Sequence, residues 1–567
     1  MFSGRVKFVL QLVLTIASLA PTVNGQTQCC NFDGPKLGAV ASENSICSRI
    51  GTRLLEDGGN AVDALVGTVF CVGVTSMYHS GIGGGGFLLL RSPNGTYEYV
   101  DFRETAPAAA FEDMYKGNVK ASIYGGLASG VPGELRGTEY IHKKYGALKW
   151  ADVVAPSIKL ARFGFPVSED LVRYMDSTTP NDFLTEDPSW AMDFAPRGSR
   201  VRLGETMTRK RYADTLETIA NEGADAFYTG SIAKATIRAL KAANGTMTLE
   251  DLRNYTIALR DPVQIEYRGY KLTSTNAPSS GVVALSALNI LSGYQDFSDP
   301  SRSNLSTHRM DEAMKFAYGQ RTKLGDPYFV QGLDQYTKQM ISSKTGDEVR
   351  SRIDDQATFN VSYYNPEGLE SLETPGTSHI VAADFKGMSV SMTTTINLLF
   401  GSTLMIPETG IVMNNEMNDF SIPGQSNAFG YIPSAANFAM PGKRPLSSIA
   451  PIIAETEDGK LYFSIGSAGG SRITTANIQS TIHLLDGNMT ISDALKQPRL
   501  HDQLVPSQVS FEYSFNNETV TYMKSLGYNV TWVAPGQSAV QGLRLLRNGT
   551  FEAGGEPRQK NSGGFAV

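Results

Sequence analysis

The run GTSHIVAADFKGMSVSMTTTIN, from Gly376 to Asn397, reads as a β-hairpin. Thr377 to Asp384 and Met388 to Thr395 have strand composition, and the second run alternates Met388, Val390 and Met392 against Ser389, Ser391 and Thr393, the period of a strand. A short turn ending at Gly387 joins them. If that turn is centred on Lys386, Thr395 falls opposite Thr377, about 5 Å away on the same face, with Asn397 two residues further along it. A one-residue slip would break this geometry. An internal threonine is a poor nucleophile, because nothing need take its proton, but a threonine freed as a new N-terminus carries its own base. Its α-amino group titrates near a pKa of about 7.7 to 8.0, so a useful fraction is neutral at physiological pH. Gly376 suits such a cut because glycine permits the strained backbone that brings the hydroxyl onto the preceding carbonyl. On these residues alone, a threonine opening a strand after a turn is the simpler reading.

A second hairpin is expected from Ile449 to Ala454 and Leu461 to Gly466 around Asp458-Gly459, followed by Ser467-Ala-Gly-Gly470 and a helix from Arg472 to Leu485. Strand, paired glycines and helix N-terminus together expose backbone N–H groups to an anion or an oxyanion, although a plain left-handed turn has the same signature. Towards the N-terminus, Ile46, Ile50 and Leu54 mark one helix ending at Gly58-Gly59. Asn60 caps a second and buried one, Ala61 to Val74, with Asp63 completing a capping box. In an antiparallel pair of helices Cys47 and Cys71 stand level, which favours a disulfide in a secreted chain, two free buried cysteines being the alternative. Gly81 to Gly86 matches GxGxxG but leads into the strand-like Phe87 to Leu90, so it is read as a tight turn or close packing and not as a dinucleotide site. The segment from Lys120 to Lys344, with helices such as Tyr212 to Asn221 and Val282 to Leu291, supplies scaffold.

No linker, charge run or repeat divides the 567 residues, so one large α/β unit is expected; 41% hydrophobic and 19% charged residues can bury a substantial core. A net charge of −6 without basic clusters argues against nucleic acid. Arg5, Lys7, the apolar run Phe8 to Ala20 and the exit Val23-Asn-Gly25 read as a secretory signal over residues 1–25, with an uncleaved anchor as the alternative. Sequons at Asn94, Asn244, Asn254, Asn304, Asn360, Asn488, Asn517, Asn529 and Asn548 fit that route. Cys29 and Cys30 have no readable partner. The six histidines are scattered without HExxH, and GxSxG, GK[ST] and paired CxxC are missing, so zinc, serine-hydrolase and nucleotide chemistry find no support. His79 and His379 read as polar packing residues.

The run Thr374-Pro-Gly-Thr-Ser-His-Ile380 resembles the processing site of the γ-glutamyltransferase family, members of the N-terminal nucleophile hydrolases. The likeness extends from Leu37 to Val567 through Asp101-Phe-Arg-Glu-Thr-Ala-Pro107, Thr395-Ile-Asn397, Asn414-Asn-Glu-Met-Asn-Asp-Phe420, Arg444-Pro-Leu-Ser-Ser448 and Gly466-Ser-Ala-Gly-Gly470. It implies a four-layer αββα sandwich formed jointly by residues 26–376 and 377–567 after self-cleavage between Gly376 and Thr377, the two pieces staying together as a heterodimer. Thr377 would be the nucleophile, Thr395 its orienting partner, and Gly469 and Gly470 the oxyanion donors. Arg103 with Ser447 and Ser448 would hold the α-carboxylate of a γ-glutamyl group, and Asn397, Glu416 and Asp419 its α-ammonium. This division is electrostatically sound, since charge-assisted hydrogen bonds in a partly dry pocket are the strong kind. The three-residue spacing of Glu416 and Asp419 would aim both from one helical turn.

The reaction implied is transfer of the γ-glutamyl group of glutathione or a related amide to water, an amino acid or a dipeptide, without a cofactor. Ser421 to Lys443 would form a loop over the acyl site, with Phe429 near a tyrosine of some bacterial members. Extracellular, cell-surface or vacuole-like locations all fit. Two competitors remain: an amidohydrolase for another acyl group, such as a cephalosporin acylase, against which Arg103, Glu416 and Asp419 speak, and a secreted binding glycoprotein without turnover or a dead relative of the enzyme, which would stay uncut.

Overall fold

The computed structural model describes residues 36–178, 180–364, 366, 376–424 and 433–567. The signal over residues 1–25, Cys29, Cys30 and Phe429 lie outside them.

Strand alternation builds the centre of the molecule. In Gly376–Asp384 and Ser389–Asn397, Ile380, Ala382, Val390 and Met392 face one hydrophobic cluster while Val381 and Ala383 face another. This hairpin is the middle of a seven-stranded sheet ordered Gly563–Ala566, Gly38–Ser42, Gly376–Asp384, Ser389–Asn397, Gly85–Arg91, Tyr97–Asp101, Ala258–Arg260. A six-stranded sheet runs Phe551–Gly554, Ala539–Leu545, Leu461–Ala468, Ile452–Glu455, Tyr270–Ser274, Val263–Tyr267. Both mix strands from before and after Gly376.

The first cluster joins one face of the seven-stranded sheet to the helices Ser45–Glu56, Ala61–Thr75, Trp150–Phe163 and Lys210–Glu222. The second fills the space between the sheets and continues to the helices Gly281–Ser292, Ser303–Arg321 and Arg472–Leu485. Helix, sheet, sheet, helix is the four-layer αββα arrangement expected, with each layer burying its apolar face against the next.

Local expectations hold in detail. Asn60 and Asp63 form the capping box, and Cys47 is bonded to Cys71 across the paired helices with Cα atoms 5.2 Å apart. Gly83 and Gly84 pass so close to the chain that an added Cβ would strike the carbonyl oxygens of Val412 and Thr395, which explains the glycine run as backbone packing beneath the hairpin. Eight of the nine sequon asparagines are exposed; Asn304 is half-buried and its Oδ1 accepts a hydrogen bond from Thr519. No helix among the described residues is long and apolar enough to cross a membrane.

Candidate active site

The hairpin register is the expected one: Thr395 pairs with Thr377. Both threonines face the space between the sheets, and their Oγ1 atoms are 3.2 Å apart. The Thr395 hydroxyl donates to the carbonyl of Gly376 at 2.7 Å and accepts from the Asn397 amide at 2.8 Å. Its single proton is committed to Gly376, so the Thr377 hydroxyl is the donor in the pair. Asn397 departs from the simple alternation. A bulge after Thr395 places it opposite Gly376, with φ at 74°, a left-handed conformation that asparagine tolerates better than most residues. Its Nδ2 donates to the carbonyl of Asn415 at 2.9 Å. The requirement for glycine at 376 also differs from expectation. Gly376 lies in the strand without positive φ, and a Cβ there would meet the backbone of Asn397 and Leu398, so close approach and not strain excludes other residues.

Gly469 and Gly470 end the strand Leu461–Ala468 with φ of 123° and 60°, and their carbonyls receive the Arg472 and Ile473 amides that begin the helix Arg472–Leu485. An added Cβ at Gly469 would meet the backbone of Gln537 and Ser538. Thr377 and Gly469 share the wall of one cavity of about 320 Å³. His379, between the sheets, donates or accepts at Thr393 and Ser391, and burial pushes its pKa down to about 3, so it is a neutral packing residue as expected.

Arg103 is 1% exposed, and its guanidinium bridges Glu416 and Asp419 from the short turn Glu416–Asp419, while Nε donates to the Pro445 carbonyl at 3.4 Å. Sequence spacing does not reveal this pairing of the expected carboxylate holder with the expected ammonium holders. Glu104 lies beneath, 4.0 Å from the same guanidinium, and was not singled out from the sequence, although it stands beside Arg103 in the quoted motif. Burial opposes the charge on Arg103, but Glu416, Asp419 and Glu104 together outweigh it and raise its pKa. Burial in turn lifts all three carboxyl groups above the ordinary range despite Arg103, Glu104 to about 8. Oε2 of Glu416, Oδ1 of Asp419 and Oδ1 of Asn397 are buried without hydrogen-bond partners. Three acids around one cation, with unused acceptors, make a site that favours an added positive charge.

Ser447 and Ser448 follow Pro445. Ser447 Oγ accepts from the Ile449 amide at 3.2 Å, and Ser448 Oγ from Arg321 at 3.3 Å. Asn414 ties the site together, its Oδ1 receiving the Gly130 and Glu416 amides while Nδ2 donates to Gly83 and Gly130. Of the expected loop over the acyl site, residues 425–432 lie outside those described. Among the described residues no group of three or more His, Cys, Asp or Glu is placed to hold a metal ion.

The profile described as Gamma-glutamyltranspeptidase matches residues 47–566. A glutathione hydrolase proenzyme of Arthroderma benhamiae is 54% identical, covering 99% of this chain and 98% of that protein. A glutathione hydrolase of Aspergillus flavus is 52% identical over 94% of this chain and 90% of its own length. Among solved structures, cephalosporin acylase from Bacillus halodurans superposes with a TM-score of 0.82 at 26% identity, covering 97% of this chain and 99% of that one. Helicobacter pylori gamma-glutamyltranspeptidase gives 0.54 at 32% identity, over 57% of this chain and 93% of that one.

Proposed function

Since this chain belongs to the gamma-glutamyltranspeptidase family, we propose that it is a self-processing glutathione hydrolase and γ-glutamyltransferase whose nucleophile is the Thr377 hydroxyl. The observation that carries the reading is the hydrogen-bond chain from Thr377 through Thr395 to the Gly376 carbonyl. In the uncut chain no α-amino group exists to take the Thr377 proton, and Thr395 fills that gap. As Oγ1 of Thr377 bonds to the carbonyl carbon of Gly376, its proton passes to Thr395, whose own proton meets the charge growing on the carbonyl oxygen. Collapse breaks the C–N bond, the proton on the former carbonyl oxygen passing to the leaving nitrogen, and leaves a Gly376 ester on Thr377 Oγ1 with the Thr377 amine free; water then hydrolyses that ester to the Gly376 carboxylate and the Thr377 hydroxyl.

In the processed protein that amine takes the hydroxyl proton, and Thr377 attacks the γ-carbonyl of the donor, with the Gly469 and Gly470 amides holding the oxyanion. Arg103, Ser447 and Ser448 receive the donor's α-carboxylate. Asn397, Glu416 and Asp419 turn their unused oxygens to its ammonium. Water, an amino acid or a dipeptide then takes the γ-glutamyl group from Thr377. Residues 26–376 and 377–567 act as one heterodimer, made in the secretory pathway behind the signal at residues 1–25. A cephalosporin acylase shares the fold, but the buried cluster around Arg103 is suited to a zwitterionic head.

The direct test is N-terminal sequencing and mass analysis of the denatured, deglycosylated protein: a fragment starting Thr-Ser-His-Ile supports the reading, and an intact chain from folded material sinks it. Thr395→Val keeps the shape but removes the hydroxyl's three hydrogen bonds, to Thr377, Gly376 and Asn397, and it is expected to slow cleavage by about 10² to 10³, the scale of losing one positioned donor. Pulse-chase timing of the cut measures this. Donor binding is also expected to depend on pH. Because burial raises Glu416 and Asp419, they protonate at higher pH than ordinary carboxyls, so ammonium affinity is complete above their raised values and falls as pH drops through them. The KM for a γ-glutamyl donor should rise on acidification, more steeply in the native protein than in Glu416→Gln.

A further inference from the structure

His79, expected to be a packing residue, has a partner on one nitrogen and none on the other. Its ring is 2% exposed, and Nδ1 lies 2.7 Å from Oε2 of Glu43, which is 3% exposed. A carboxylate can only accept there, so Nδ1 carries a proton, and the neutral form of the ring has its lone pair on Nε2. Nε2 is buried without a hydrogen-bond partner. Tyr78 and Tyr174 pack edge-on against the imidazole, with centroids 4.6 and 4.4 Å away, and fix its plane. The His79 carbonyl receives the Ile396 amide at 3.2 Å, which ties it to the strand of Thr395. His79 also lines the cavity that it shares with Thr377, Gly469, Arg173 and Gln559. None of Arg103, Glu104, Glu416 or Asp419 lines that cavity. The other charged groups around the ring are Arg173, whose Nη2 donates to the Tyr174 hydroxyl at 2.6 Å, and Asp170, 3.4 Å from that nitrogen.

We propose that His79, held by Glu43, is a second acid–base residue of γ-glutamyl transfer, acting on the amine or water that enters this cavity. This rests on the Thr377 reading. An acyl group on Thr377 with its head at Arg103 and its carbonyl oxygen at Gly469 leaves this cavity as the space for the incoming nucleophile, and Arg173 supplies a positive charge for the carboxylate of an amino-acid or dipeptide acceptor. As the neutral acceptor amine attacks, its nitrogen bonds to the acyl carbon and its proton goes to Nε2. The ester C–O bond breaks, and Thr377 Oγ1 takes a proton from the protonated Thr377 amine. Read backwards, the protonated His79 hands its proton to the leaving amine of a donor, so one group serves both halves of the cycle, and in each half the Thr377 amine moves the complementary proton at Oγ1.

The test uses the full chain with a γ-glutamyl anilide as donor and glycylglycine as acceptor. His79→Gln should still be cut at Gly376, which reports a folded site, and should keep donor KM within about twofold while kcat falls roughly 100-fold, the usual contribution of a positioned base. Glu43→Gln should lose about tenfold in kcat, because the ring keeps its place but loses the charge that stabilises its protonated form. Added imidazole should restore turnover to a cut His79→Gly chain, which a purely structural role would not allow. A cut His79→Gln chain with kcat within about threefold of native, or a cut His79→Gly chain that imidazole leaves inactive, overturns the proposal. If His79→Gln is not cut, the kcat of Glu43→Gln decides by the same threefold limit. A native chain that is uncut overturns the Thr377 reading and this one with it, an outcome distinct from normal turnover in the variants.

Discussion

Thr377→Ala is expected to give a single uncut chain with no γ-glutamyl transfer. The substitution removes the oxygen that would attack Gly376 and, in the same atom, the oxygen that would carry the acyl group. Loss of the nucleophile from a serine-protease triad costs about 10⁶ in kcat. Here the loss should be complete, because without cleavage the α-amino base does not form either. Folding should be little affected: Thr377 contributes one side-chain hydrogen bond to Thr395, worth about 1 kcal/mol. Denaturing electrophoresis with N-terminal sequencing reads the first effect and thermal unfolding the second. Thr377→Ser keeps the hydroxyl and should still be cut. Appearance of the Thr-Ser-His-Ile position as an N-terminus in the alanine variant would mean that another protease makes the cut.

Arg103→Ala separates processing from donor recognition. Arg103 takes no part in the Thr377–Thr395–Gly376 chain, so a folded variant should cleave itself. Its removal leaves Glu416 and Asp419 buried without their cation, a loss on the order of 3–5 kcal/mol for a buried pair, or roughly 10²- to 10⁴-fold in kcat/KM for γ-glutamyl donors. Part of that loss will be seen as lower thermal stability, because the same carboxylates are stranded in the free protein. Lysine is a poor replacement, since one ammonium does not present the two-pronged guanidinium that spans both acids. Steady-state kinetics on the cut variant decide the matter: donor kinetics equal to native would remove Arg103 from the site.

What the sequence made legible follows from what is local. Alternation across Met388 to Thr393 and a turn at Lys386 sufficed for the register that brings Thr395 to Thr377, because a strand's period and a tight turn are set by neighbouring residues. The helix boundaries Arg472–Leu485 and the Asn60–Asp63 box are local in the same way. The bulge at Asn397 was not legible, since it arises where Leu398 packs over Gly376. Arg103 and Glu416 are far apart in the chain, and no periodicity connects them; only the resemblance placed both in one site, and even that did not anticipate their mutual pairing. The Glu43–His79 contact was not legible for a related reason. Neither sits in a motif, and a buried imidazole reveals its function through which nitrogen is left open, a property of the folded chain.

Both sheets draw strands from either side of Gly376, and the Cys47–Cys71 bond lies wholly before it. All four cysteines precede that residue, so once the peptide bond is broken no covalent link holds the pieces. Refolding of the uncut chain would be unimolecular, at a rate independent of concentration. The cut form would have to find its partner again in a second-order encounter while each piece exposes the edges of two incomplete sheets. Longevity of the processed protein is therefore a matter of how slowly it opens, not of how readily it returns.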